Sequence, residues 1–230
     1  MTAATYPGPE TIHRHVLDNG ITVLIYENML SNTVAIEGVV RAGAVVEPAM
    51  QAGLADFTAD LLIRGSSRWT FEGIAEALEC WDAGVSFGGS RHTTGFSTYS
   101  LVEDLDLVLD IAADALCRPT FPAEHVERVR GQTVTGLQMR ANDPRSMARL
   151  TFFETAYGDH PYGRSVSGYE ATVAALGRDD VHDFHARYYG PHEMIIGLVG
   201  AIRADEALRK LAAVFGGWRN DAPQPIQFAP

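Results

Sequence analysis

The chain has 230 residues, 46% of them hydrophobic and 20% charged, which is enough for a substantial core in one large domain or two small ones. A formal charge of -11 and a pI near 5.1 argue against a nucleic-acid partner, which asks for a basic face, and give no reason to expect an anionic membrane. No stretch approaches the ~20 apolar residues of a membrane span, and the amino terminus lacks the basic start and apolar run of a secretory signal, so the chain is expected to be cytoplasmic.

Taken in chain order, the pattern predicts strands at 12–17 and 21–27, joined at Asp18-Asn19-Gly20, because Asn-Gly tolerates the positive φ of a tight hairpin. A third strand runs from Val34 to Arg41 and breaks at Ala42-Gly43. Pro48 precedes a helix from Met50 to Arg64, which Gly65 stops. Thr70 caps a helical run to Asp82, and extended segments follow at 85–87 and 93–101. Val102, Leu105, Val108, Leu109, Ala112 and Leu116 repeat at helical spacing, which predicts an amphipathic helix over 102–117, ended by Arg118-Pro119-Thr120-Phe121-Pro122.

A long helix over 123–141 comes next, then Asn142-Asp143-Pro144 and a further helix to Tyr157. His160-Pro161-Tyr162-Gly163 is a loop, helices follow at 168–176 and 178–189, Met194 to Val199 is a buried strand, and 204–215 is a closing helix. Strands grouped apart from helices favour an α+β domain over residues 1–218 with a mainly antiparallel sheet. From Arg219 the chain turns proline-rich, so 219–230 reads as a linker toward a second half.

Several chemistries are excluded by their motifs. Gly-x-Ser-x-Gly, Gly-x-Gly-x-x-Gly and a phosphate-binding Gly-Lys-Ser/Thr are all absent. Cys80 and Cys117 sit in apolar helical contexts and are expected to pack as small hydrophobes. His13 with His15, and His182 with His185, lack a third candidate at metal-site spacing, so surface or packing roles are expected, and His160 is expected to be a turn residue.

The order of Arg41-Ala42-Gly43, Ala52-Gly53-Leu54-Ala55, Gly65, Arg118-Pro119-Thr120-Phe121, Asn142-Asp143-Pro144, His160-Pro161-Tyr162-Gly163, Tyr188-Tyr189-Gly190-Pro191 and Gly197-Leu198-Val199-Gly200 resembles the pitrilysin/insulinase-type zinc peptidases. The mitochondrial processing peptidase-like branch is the most similar, and the likeness spans about residues 12 to 218. It implies a LuxS/MPP-like metallohydrolase fold and an amino-terminal half of a two-half subunit. The family carries an inverted His-x-x-Glu-His motif, whose two histidines, one helical turn apart, share an ion while the glutamate serves its bound water. Aligned with that motif, this sequence has Asp56, Ala59 and Asp60. The family's third ligand, a glutamate roughly seventy-five residues later, falls here on Gly136.

Ala59 cannot move a proton, and two carboxylates alone do not supply the roughly six oxygens of a hard-cation site. The resemblance also implies a substrate-pairing edge strand, where Gly88-Gly89-Ser90 stands in place of an Asn-Ala element. The expectation is therefore a catalytically inactive member that needs no cofactor of its own. It would pair with a zinc-bearing relative as a hetero-oligomer and bind peptide substrate within the shared chamber. A stand-alone peptide-binding pseudoenzyme is the alternative, and an active zinc peptidase with a displaced site comes third.

Overall fold

Alternation at period two decides which face of each strand meets the core. In the strand Thr33–Val40 (β3), Val34, Ile36 and Val40 are buried while the residues between them are exposed. The computed structural model describes residues 7–220 and adds the strands Ile12–Val16 (β1), Thr22–Glu27 (β2), Gly84–Gly89 (β4), Thr94–Leu101 (β5) and Ile195–Gly200 (β6). These six form one sheet in the order β1-β2-β6-β3-β5-β4, antiparallel throughout except where β6 runs parallel to β2. The predicted α+β class with a mainly antiparallel sheet is what the structure has. β6 arrives late in the chain yet lies at the sheet centre, so the segments before and after it fold as one unit.

The helices are Leu54–Leu62 (α1), Phe71–Cys80 (α2), Leu105–Cys117 (α3), Ala123–Arg140 (α4), Pro144–Tyr157 (α5), Glu170–Ala175 (α6), Arg178–Tyr188 (α7) and Ala204–Phe215 (α8). α3 and α8 cover the inner face of the sheet, with Leu105, Val108, Leu109, Ala112 and Leu116 of α3 buried at the predicted helical spacing. α1 touches β4, α4 and α7, which makes it the joint between the sheet and the second helical group.

The structure corrects several boundaries. α1 begins at Leu54 rather than Met50, because a short 3-10 turn over Ala49–Gln51 is followed by extended Ala52 and by Gly53 at φ 101°, a left-handed break that glycine adopts without strain. Val102–Asp104 is likewise a 3-10 turn ahead of α3. β4 is longer than the predicted segment and runs through Gly88 and Gly89. Cys80 is exposed at the end of α2, contrary to the packing role expected of it, because only Ile74 of that helix is buried. Cys117 does pack against the core, and burial pushes its thiol up to about 12. The proposed linker from 221 onward lies outside the described residues.

Gly38 is a point of very close packing within the sheet, since a Cβ there would lie 2.1 Å from Cε1 of buried Phe96. Gly38→Ala is therefore expected to destabilise the fold by about 1–3 kcal/mol in urea unfolding, with part of the loss regained by adding Phe96→Leu. An unchanged midpoint would contradict this packing.

Candidate functional site

The site is built on α1, and α1 is fixed by Glu47. This side chain, only 5% exposed, accepts hydrogen bonds from the backbone N–H of Gly53 at 3.0 Å and of Ala55, two of the amides left unpaired at a helix start. Its own carbonyl accepts from Nη1 of Arg164 at 2.8 Å. Burial pushes the Glu47 carboxyl up to about 8, against the lowering effect of the two amides and of the Arg164 guanidinium. On the other side, Gly53 lies against Gly168, where a Cβ would come within 2.9 Å of the Gly168 Cα, and Thr172 donates to the Ala52 carbonyl at 2.7 Å.

So held, α1 presents Asp56 and Asp60, one turn apart, to a cleft of about 410 Å³. The opposite wall is the face of α4 formed by Val129, Gln132, Thr133, Gly136, Leu137 and Arg140. Sequence positions 56, 60 and 136 are thus brought together in space. Ala59 is fully buried.

Asp56 is raised by burial, while Ser167 and the backbone N–H of Gly89 oppose the shift. Asp60 is pushed up to about 6 by desolvation and by the neighbouring Asp56, with Arg64 opposing. The pair can accept hydrogen bonds from a ligand or hold a positive charge.

Zinc does not fit these residues. It takes four donors, mostly imidazole or thiolate, and the third protein corner here is Gly136, where a Cβ would meet nothing within 4 Å. Thr133, beside it, donates its hydroxyl to the Val129 carbonyl at 2.9 Å. Among the described residues no group of three His, Cys, Asp or Glu side chains is placed to hold a metal ion.

His13 and His15 are exposed on the surface, while His182 and His185 take packing roles. His185 donates from Nε2 to the Leu116 carbonyl at 2.9 Å and is pushed down to about 4 by burial, and His182 packs edge-on against Phe121. His160 accepts from the Tyr162 N–H within its own turn, as expected of a turn residue.

Of the three substrate candidates, Gly88 and Gly89 end β4, the outermost strand on that side of the sheet. A Cβ at Gly89 would lie 2.5 Å from the Asp56 Cα, so glycine there lets the strand pass directly beside α1. Gly88 has open space around it. Ser90 is committed elsewhere: its hydroxyl bonds the Thr93 carbonyl at 2.8 Å and its carbonyl accepts from Ala44 N–H at 3.0 Å, closing the turn to β5. The sequence reading did not anticipate Glu47, Ser167 or the arginines nearby, since they are scattered along the chain and form no motif.

The family description "Insulinase (Peptidase family M16)" matches residues 22–170, and "Peptidase M16 inactive domain" matches 175–230. The chain belongs to the insulinase family of peptidases. Among its relatives in this family are an uncharacterised zinc protease of Mycobacterium leprae, 30% identical over 88% of this chain and 46% of its own, and a probable mitochondrial-processing peptidase subunit beta of Arabidopsis thaliana, 23% identical over 94% and 43%. The chain thus spans about half the length of the relatives it matches. A crystal structure described as a peptidase M16 inactive domain from Pseudomonas fluorescens shares the fold with a TM-score of 0.88 at 23% identity, covering 95% of this chain and 53% of that one. Pitrilysin shares it with a TM-score of 0.85 at 22% identity, over 95% of this chain and 24% of its own.

The raised Glu47 and Asp60 carboxyls have a consequence for stability. Each holds its proton more tightly when folded, so its contribution is full below the unfolded value and is lost as pH rises, through about 6 for Asp60 and about 8 for Glu47. Buried His185 acts oppositely, and its contribution is lost as pH falls below about 6.5 toward about 4. Glu47→Gln is expected to lower stability near pH 4.5 and below, because an amide has one acceptor oxygen for the two N–H groups, and to flatten the decline between about pH 4.5 and 8 by up to about 1.4 kcal/mol per pH unit. Parallel wild-type and variant profiles in urea titrations would contradict the assignment.

Proposed function

We propose that this chain is a non-catalytic half of an insulinase-family peptidase, which pairs with a zinc-bearing relative and helps hold peptide in their shared chamber. The observation that carries this reading is the convergence of Asp56, Asp60 and Gly136 on one cleft: the family's frame for a metal is kept while its donors are replaced. Ala59 supports it, since a methyl group cannot serve as general base for a metal-bound water. In such a pair the partner's zinc supplies the water that attacks the peptide carbonyl. This chain contributes walls, and at the outer edge of β4 it offers backbone groups beside the cleft for an extended peptide.

The reading is tested by metal content and peptide cleavage on the purified chain. Wild type is expected to hold no stoichiometric zinc and to leave unfolded peptides uncut. Asp56→His, Asp60→His and Gly136→Glu together are expected to create a one-zinc site, because position 136 has open space for the new side chain. Stoichiometric zinc and zinc-dependent cleavage by the wild-type chain would overturn the proposal, and a rebuilt chain that folds but takes no zinc would contradict the assigned positions.

A further inference from the structure

Beside the acidic cleft lies a second pocket of opposite sign. It has a volume of about 250 Å³ and brings together Arg91, Arg140, Arg149 and Arg164 with Ser146, Ser165 and Ser167. Arg140 and Ser167 line both cavities, so the two open onto one another's walls. Four of the chain's 18 basic residues thus converge in a protein of net charge -11. Among the described residues none of the four takes part in a salt bridge, although Arg41, Arg68, Arg118, Arg130 and Lys210 all do.

The guanidiniums are fixed mainly by neutral partners. Arg91 donates from Nη1 to the Tyr162 carbonyl at 2.6 Å and stands over the rings of Phe153 and Tyr162, with centroids 5.1 and 5.4 Å away. Arg140 donates to Ser165 Oγ at 2.8 Å and to the Gly168 carbonyl at 3.0 Å. Arg164 donates to the Glu47 carbonyl, while the Glu47 carboxyl behind it favours its neutral form below about pH 8 and cancels little of the charge. Exposed Arg149 lies 6.0 Å from the centroid of Phe153. Asp143, near the rim, is already engaged as the cap of α5, accepting from the N–H of Arg145 and Ser146. Holding uncompensated positive charges close together costs free energy, and an anion relieves it.

We infer that this arginine pocket receives a carboxylate of the bound peptide, either an acidic side chain or the carboxyl terminus, from a chain lying along the neighbouring cleft. Planar guanidinium forks match a carboxylate in two-point contact, and Phe153 and Leu150 supply an apolar wall for the methylenes of a glutamate. A peptide running from the acidic cleft into this pocket would meet a negative wall and then a positive one, which sets its direction and selects against sequences with basic residues at the second position.

This inference rests on the peptide-binding reading, and the test separates the two. Binding of fluorescent peptides to the chain is measured by anisotropy for three neutral-cored sequences: one with a glutamate and an amidated terminus, one uncharged with a free carboxyl terminus, and one uncharged and amidated. N-acetyl-glutamate is titrated in parallel by NMR. At least one carboxylate peptide is expected to bind about tenfold or more tighter than the uncharged amide, and which one does so identifies the source of the carboxylate. Arg149→Gln, which removes a side chain with no hydrogen bond among the described residues, is expected to reduce that preference severalfold while leaving urea stability unchanged, and Arg91→Gln is expected to reduce it further. Equal binding of all three peptides would overturn the pocket assignment and leave the peptide-binding reading intact. Binding of N-acetyl-glutamate alone would keep the pocket and remove the peptide reading, and no binding of any probe would remove both. A phosphoserine peptide bound more than tenfold tighter than its glutamate counterpart would overturn the choice of carboxylate.

Discussion

The contact on which the rest depends is the buried carboxyl of Glu47 at the start of α1. It closes the backbone of a helix whose residues are almost all enclosed and, through the Arg164 hydrogen bond to the Glu47 carbonyl, ties that start to the loop after α5. Gly53 in its left-handed conformation and Gly89 at the end of β4 then let neighbouring backbone approach where a side chain would block it. Once α1 is held between β4 and α4, the positions of Asp56, Asp60 and Gly136 follow without further adjustment. The scaffold therefore sets Asp56, Asp60 and the open space at Gly136 around one cleft.

The electrostatics around the cleft are uneven. Asp60, desolvated and beside Asp56, holds its proton up to about pH 6. The arginines of the adjoining pocket make no salt bridge among the described side chains. Positive and negative cavities that share Arg140 and Ser167 suit a polar, extended ligand better than a small apolar one. In the proposed pair, such a surface orients substrate while the partner performs the bond cleavage.

Much of this was legible in the sequence. Among the described residues each strand and α-helix falls where a segment was predicted, clearest where Val34, Ile36 and Val40 alternate and the apolar residues of α3 recur at helical spacing. The positions Asp56, Ala59, Asp60 and Gly136 came from the resemblance to the family's motif, and the fold does bring 56, 60 and 136 together. What stayed hidden depends on tertiary closure. The start of α1 could not be placed, since the break at Gly53 is enforced by Gly168, far along the chain. Ser90 looked like part of a binding edge until the turn to Thr93 took its hydroxyl. The arginine pocket draws on residues 91, 140, 149 and 164, whose proximity no linear pattern encodes.

The most direct test of the central claim is purification of the natural-length chain from its source cells, followed by native mass spectrometry with metal quantification. The account predicts a stoichiometric complex with a relative carrying an intact His-x-x-Glu-His helix, with one zinc per complex and peptide cleavage lost when that partner is removed. Recovery of the chain by itself, carrying zinc and cleaving peptides, would contradict it.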